Sequence, residues 1–359
     1  LFNSLFGINY QVAMMLSALL IVGYTITGGF NAVCVTDLVQ SIVMTGALAI
    51  VLIYGISRAG GWTAVMDNAA ALPGYLSLTS TFDVASGSEV KYNFLTIFST
   101  AAWGLGYFGM PHILVRFMAI EDEKKLVLSR RIASVWVVIA MTAGVLIGIV
   151  GLGMTKAGAL DTLTGSNSET IIVRIAGIIS QHNALTALIA GIILAGILAA
   201  TMSTADSQML AAASGVSQNI VHDFLKIKIS EKTNLLIARL TIVGIAIVSI
   251  FLARNPDSSV FKIVSFAWAG FGGAFGAVVL CSLFWKRCNL AGAIAGIISG
   301  GATVFIWKYL VRPLGGILDI YELLPAFIVS LIFIIVVSLL TKAPDEEIVR
   351  EFEAAGKKA

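Results

Sequence analysis

Nine stretches of the chain, at roughly 10 to 28, 32 to 57, 93 to 115, 132 to 155, 185 to 210, 233 to 253, 261 to 285, 289 to 310 and 322 to 341, are each apolar over about 20 residues. At a rise of about 1.5 Å per residue, a helix of that length crosses the roughly 30 Å hydrocarbon layer of a bilayer. The layer holds no water for unpaired backbone groups, so such stretches must close their hydrogen bonds internally, as helices. A hydrophobic content of 58% against 12% charged residues excludes a soluble globular domain. The expected fold is an all-α polytopic membrane protein with nine transmembrane helices. Residues 1–342 form the membrane domain and residues 343–359 a charged tail, with a short helix predicted after Pro344.

Basic residues between spans set the orientation, because they are held on the cytoplasmic side during insertion. With Arg116, Lys124, Lys125, Arg130 and Arg131 inside, alternation puts three further groups on the same side. These are Lys226, Lys228, Lys232 and Arg239; then Lys286 and Arg287; then Lys342, Arg350, Lys357 and Lys358. That side holds 15 of the 23 Lys and Arg residues, so the carboxyl terminus is expected in the cytoplasm of a multi-pass plasma-membrane protein. The net charge of +3 follows from these loops, and no nucleic-acid partner is needed to explain it. An outside amino terminus with no basic residue before Arg58 predicts further spans ahead of Leu1. The two sizeable polar insertions are 58–92, read as an irregular surface loop, and 156–184, where Ser168 and Glu169 announce a short helix. Cys34, Cys281 and Cys288 are too scattered for a disulfide framework or a thiolate metal site and are read as packing residues.

Within the apolar background, residues 196–210 read GILAATMSTADSQML and carry four hydroxyls and a carboxylate. On a helix, Ala200, Ser203, Thr204 and Ser207 fall at i, i+3, i+4 and i+7, on one face, with Asp206 at its edge. Desolvating an acid in hydrocarbon costs about 2.5 to 3.5 kcal/mol, so a compensating partner is required. Hydroxyl, carbonyl and carboxylate oxygens suit a hard monovalent cation, sodium first. The same hydroxyls could instead bond back to preceding carbonyls or tie two helices together. Asp37 lies about six residues into its span, roughly 9 Å deep, and could share a depth with Asp206. The pair would make a second cation position or a proton relay; the alternative is that Asp37 caps a helix end near Gly28 and Gly29.

A second cluster, WGLGYFGMPH, spaces Trp103, Tyr107 and Pro111 at i, i+4 and i+8, along one side of a helix. Pro111 has no N–H, which leaves the Tyr107 carbonyl without its usual intrahelical partner. An aromatic wall, a hydroxyl and a free carbonyl suit a small molecule with an apolar body and an ammonium group. The competing reading is an interfacial aromatic belt. His112, His182 and His222 are isolated, no metal-site spacing occurs, and Ser, His and Asp form no nucleophilic set, so the chain does not read as an enzyme.

The segments YTITGGFNAVCVTDLVQ, WGLGYFGMPHILVRFMA, ILAATMSTADSQML, SFAWAGFGGAFGAVVL and YELLPAF resemble the sodium:solute symporter family, and the resemblance runs through essentially the whole chain. It implies a transporter core of two inverted five-helix repeats, of which this chain would hold core helices four to ten plus two peripheral helices. It also implies a sodium site at the Ala200 carbonyl and the Ser203 and Thr204 hydroxyls. A second cation site would involve Asp37, Ser203, Asp206 and Ser207, and substrate would bind at Trp103, Tyr107 and Pro111. Met110 departs from the pattern, standing where a glutamine is usual. The expected function is sodium-coupled symport of a small amino acid, proline first. Another small solute such as pantothenate or a sugar, a proton in place of sodium, or a membrane solute sensor are the alternatives.

Overall fold

The computed structural model describes residues 7–254 and 259–358; Leu1 and the side chains of Lys357 and Lys358 lie outside it. Among the described residues, seven helices are long and apolar enough to cross a membrane, against the nine stretches expected. Two local features account for the difference.

The first is helix α1, Tyr10–Arg58, which takes in both of the first two stretches. Its 49 residues would measure about 74 Å if straight, twice the depth of a bilayer. It is not one regular helix, because Gly29 has φ 65° and ψ −174°, a conformation that favours glycine. Gly29 therefore divides α1 into two arms.

The second is the stretch 93–115, which is broken rather than continuous. It consists of α3, Phe94–Ala101; a single turn α4, Trp103–Gly106; a 3-10 turn, Tyr107–Gly109; and α5, Pro111–Met118. Pro111 excludes the helical conformation at the preceding residue, and Met110 is accordingly extended (φ −81°, ψ 109°).

The insertion at 58–92 is more ordered than a loop. It holds helix α2, Trp62–Ala70, and an antiparallel hairpin of β1, Ser80–Asp83, and β2, Ser88–Lys91, with Ser80 opposite Lys91 and Asp83 opposite Ser88. Asp83 closes the hairpin turn by accepting from the Ala85 and Ser86 amides (3.3 and 3.0 Å) and the Ser86 hydroxyl (2.6 Å). Those donors, the Ser86 hydroxyl foremost, hold its carboxyl below the usual carboxylate range.

The remaining elements are α6, Lys125–Lys156; α7, Ile171–Ser180; α8, Ala184–Ser214; and α9, Glu231–Leu252. They are followed by α10, Val260–Phe271; α11, Ala277–Phe284; α12, Leu290–Ile306; α13, Leu323–Leu340; and α14, Glu346–Lys358. Helices α7 and α14 are the two short helices expected from the sequence. Helix α8 opens on a capping box between Asn183 and Thr186 and runs on as a π-helix, Gly215–Phe224. A second π segment, Gly272–Gly276, joins α10 to α11.

The chain divides into two compact units, Leu1–Leu76 with Ile120–Ser258, and Ser77–Ala119 with Ser259–Ala359. In the first unit α1, α6, α7 and α8 share a core that includes Val51, Ile147, Val150, Met154, Ile175 and Ile193. Gly196 of α8 lies against Val43, Met44 and Ala47 of the second arm of α1, so close that an added Cβ would stand 2.8 Å from that of Ala47. In the second unit Gly292, Gly296 and Gly300 form a small-residue face on α12, against which Ser330, Ile334 and Ser338 of α13 pack. The Ser330 hydroxyl donates across it to the Gly296 carbonyl at 2.9 Å.

Candidate functional site

The candidate residues fall in both units, and each group is built within its own. In the first unit, α8 carries the oxygen stripe. The Ala200 carbonyl accepts from the Ser203 hydroxyl at 3.2 Å and the Thr204 hydroxyl at 3.3 Å, and the Ser203 carbonyl accepts from Ser207 Oγ at 2.8 Å. Back-bonding of this kind directs each hydroxyl proton inward along the helix and leaves the oxygen lone pairs pointing outward. Both hydroxyls thus bond back to the preceding carbonyl, the alternative left open by the sequence, and in doing so lie within 3.3 Å of Ala200 O; all three are hard acceptors of the type an alkali cation takes. Ser203 and Ser207 are half-buried and Thr204 is exposed.

Helix α8 and the second arm of α1 run antiparallel, with Gly196 beside Met44. Asp37 lies seven residues before Met44 and Ser203 seven residues after Gly196, each about 10 Å by helical rise from that contact.

Asp206 has a different environment. It is fully buried, and its Oδ2 accepts from the hydroxyl of Tyr24 on the first arm of α1. Its Oδ1 accepts from the Ser207 amide at 2.6 Å, with Ser207 Oγ at 3.4 Å. Tyr24 also reaches the Met202 carbonyl at 3.3 Å. The compensation that a buried acid requires comes here from a tyrosine and an amide, both on the protein itself. Tyr24 was absent from the sequence-based site; the available signal was a phenol inside an apolar span, which must find a partner for its O–H.

In the second unit, Trp103 and Tyr107 bound one α turn, but Pro111 is not on their stripe, because the chain passes from α4 through the 3-10 turn to extended Met110 before α5 starts. The Tyr107 carbonyl is also not free: the Met110 amide donates to it at 3.5 Å, a 3-10 bond in place of the α-helical one that Pro111 removes. The aromatic wall is present and larger than expected. Trp103 stacks with Phe261 (5.5 Å, 9°), Trp268 (5.4 Å, 16°) and Tyr321 (6.2 Å, 17°), and Tyr107 meets Trp268 edge-on (4.7 Å, 85°). Tyr321 is anchored by its hydroxyl to the Ser265 carbonyl (2.6 Å) and by its amide to Ser99 Oγ (3.0 Å); burial, followed by the charge of Glu322, pushes its phenol above the ordinary range.

Beside it, Glu322 is 1% exposed and is neutralised by Arg312 (2.8 Å) and Lys308 (3.3 Å), the latter lying 4.0 Å over the Phe266 ring. A buried carboxylate is tolerated only with such pairing. Among the described residues no group of three or more His, Cys, Asp or Glu side chains could hold a metal ion. An open groove of about 1110 Å³ between the second arm of α1 and α6, lined by Leu38, Ile42, Leu128, Ile132 and Trp136 among others, contains none of the candidate residues.

The architecture combines multiple membrane-length helices with broken segments beside polar and aromatic clusters. Its fold matches a solved Na+-coupled sialic acid symporter in a substrate-bound outward-open state, with a TM-score of 0.72 over 95% of this chain and 69% of that one, at 18% identity. In sequence the chain is 39% identical over 352 residues to an osmoregulated proline transporter of Bacillus subtilis, covering 98% of this chain and 68% of that protein. It is 37% identical over 356 residues to the sodium/proline symporter of Salmonella typhimurium, covering 99% and 67%. The model of the sodium:solute symporter family matches residues 1–300, and the chain belongs to that family.

Proposed function

We propose that this protein carries proline into the cell by symport with sodium. Relatives at 36 to 39% identity over nearly the full chain are named for proline transport or for sodium/proline symport, which supports the substrate and the ion together. The observation that carries the ion assignment is that the Ser203 and Thr204 hydroxyls lie 3.2 and 3.3 Å from the Ala200 carbonyl on one turn of α8. Sodium would take these three oxygens. A second cation would draw on Asp37, Ser203 and Ser207, with Asp206 held in reserve by Tyr24. Proline would lay its ring against the Trp103 and Tyr107 wall near Pro111, its ammonium facing aromatic π density.

Coupling requires that sodium and proline favour the same conformation, so that each raises the affinity of the other. The membrane potential then adds about 2.3 kcal/mol per 100 mV for each sodium charge that moves inward. The basic loops support a cytoplasmic carboxyl terminus. The test is uptake of labelled proline by the native protein in proteoliposomes with an imposed sodium gradient. Combined Ser203→Ala and Thr204→Ala substitution should abolish the sodium-stimulated component while the protein still inserts. Wild-type sodium dependence in that variant refutes the ion site, and sodium-stimulated uptake of another solute in place of proline refutes the substrate.

A further inference from the structure

One side chain outside the assigned site touches both of its aromatic members. Trp268, on α10, donates its indole N–H to the Trp103 carbonyl at 2.9 Å. Its ring stacks on the Trp103 indole at 5.4 Å and 16° and stands perpendicular to the Tyr107 ring at 4.7 Å and 85°. The space for this indole exists because residue 106 is glycine: a Cβ there would lie 1.9 Å from Trp268 Nε1 and 2.3 Å from Cδ1. The same approach of backbones continues one turn on. A Cβ at Gly109 would come within 2.3 Å of the Phe271 carbonyl, and one at Gly272 within 2.7 Å of the Gly106 Cα. The broken segment 103–110 is therefore seated directly on α10 at the start of its π segment.

From these contacts the geometry points to Trp268 as a positioning residue for substrate recognition: it fixes the relative tilt of the Trp103 and Tyr107 rings from outside the single turn that carries them. A continuous helix would hold two residues at i and i+4 in register through its own hydrogen bonds. The α turn Trp103–Gly106 does this for the two backbones, but it gives way at Tyr107 to a 3-10 turn and an extended residue, so no following helical turn braces the rings. Trp268 braces them with one hydrogen bond to backbone, one stacked contact and one perpendicular contact, three constraints on two residues. The inference rests on the reading of Trp103 and Tyr107 as substrate-binding residues and adds how their geometry is maintained.

The test is a thermodynamic cycle on the native protein in proteoliposomes. Trp268→Phe keeps an aromatic ring and removes the N–H. It should raise the KM for proline about tenfold, equivalent to about 1.4 kcal/mol, with kcat and the half-saturating sodium concentration changed less than twofold. Combined with Trp103→Phe, it should add little to the effect of Trp103→Phe alone, because Trp268 acts through Trp103. Full additivity would mean that Trp268 contacts substrate independently, and an unchanged KM would mean that it positions nothing; either result overturns the inference.

A second arm does not depend on transport. A cysteine placed by Tyr107→Cys, in a background carrying Cys34→Ala, Cys281→Ala and Cys288→Ala, should react with a small maleimide at a rate altered at least threefold by Trp268→Phe, and an unaltered rate also overturns the inference. If the wild-type protein shows no sodium-stimulated proline uptake, the symport reading fails on that control, and the labelling arm still decides whether Trp268 sets the geometry of the segment.

Discussion

The compensation of Asp206 can be tested by removing a single oxygen. Tyr24→Phe deletes the hydroxyl that donates to Asp206 Oδ2 and leaves the ring in place. Asp206 is 0% exposed, so no water takes over, and the carboxylate retains the Ser207 amide and hydroxyl on Oδ1. A hydrogen bond to a charged group contributes about 1.5 to 3 kcal/mol net, and a loss of about 2 kcal/mol is expected. With an unfolding entropy of about 2.1 cal/mol/K per residue, a chain of 359 residues should melt about 3 °C lower. The assay is thermal denaturation of the detergent-solubilised protein, in sodium and in choline buffers. Because the partner is a protein side chain, the loss should be equal in both. In an Asp206→Asn background, where the acceptor is neutral, Tyr24→Phe should cost about 1 kcal/mol or less. A Tyr24→Phe protein that melts like wild type in both buffers would show that the acid does not depend on the tyrosine, and a loss confined to choline would show that a bound ion can take the place of the tyrosine; either result refutes the reasoning.

Two further outcomes follow from local geometry. Gly300→Ala places a Cβ 2.0 Å from the Gly273 carbonyl, which is backbone and cannot swing away, whereas Gly301→Ala meets only the Ala274 Cβ at 3.8 Å. The first should cost about 1 to 3 kcal/mol or more as overpacking and lower the monodisperse yield on size-exclusion chromatography; the second should leave the yield unchanged or improved. Asp83, hydrogen-bonded in its charged form, should titrate below an ordinary aspartate. Its contribution to the hairpin is present above the unfolded pKa and is lost as pH falls through the lower folded one, so amide protection at Ala85 and Ser86 should persist through the usual carboxylate range and collapse only below it.

What could be read from the sequence divides along the range of the forces involved. Helix content was legible because a bilayer leaves an apolar run no other way to satisfy its backbone. The stripe Ala200, Ser203, Thr204 and Ser207 was legible because i, i+3, i+4 and i+7 share a face whatever lies beside them. Both departures from the count of nine occur where regular periodicity stops. Gly29 divides α1 by its positive φ at the gap between the stretches 10–28 and 32–57, without ending the helix. Pro111 was read correctly as a missing donor, but its larger effect is on Met110, which it turns out of the helix. That step removes the stripe that the i, i+4 and i+8 spacing assumed, and Met110 then supplies the Tyr107 carbonyl with a new partner. Tyr24 and Trp268 were missed for a third reason. Their partners, Asp206 and Trp103, lie 182 and 165 residues away. Nothing in a single sequence carries that separation except the unmet need of a buried O–H or N–H. Such a group gains free energy by ending on an acceptor, which Tyr54 and Trp307 do not reach, and the two that end on candidate site residues tie distant parts of the chain to the candidate site.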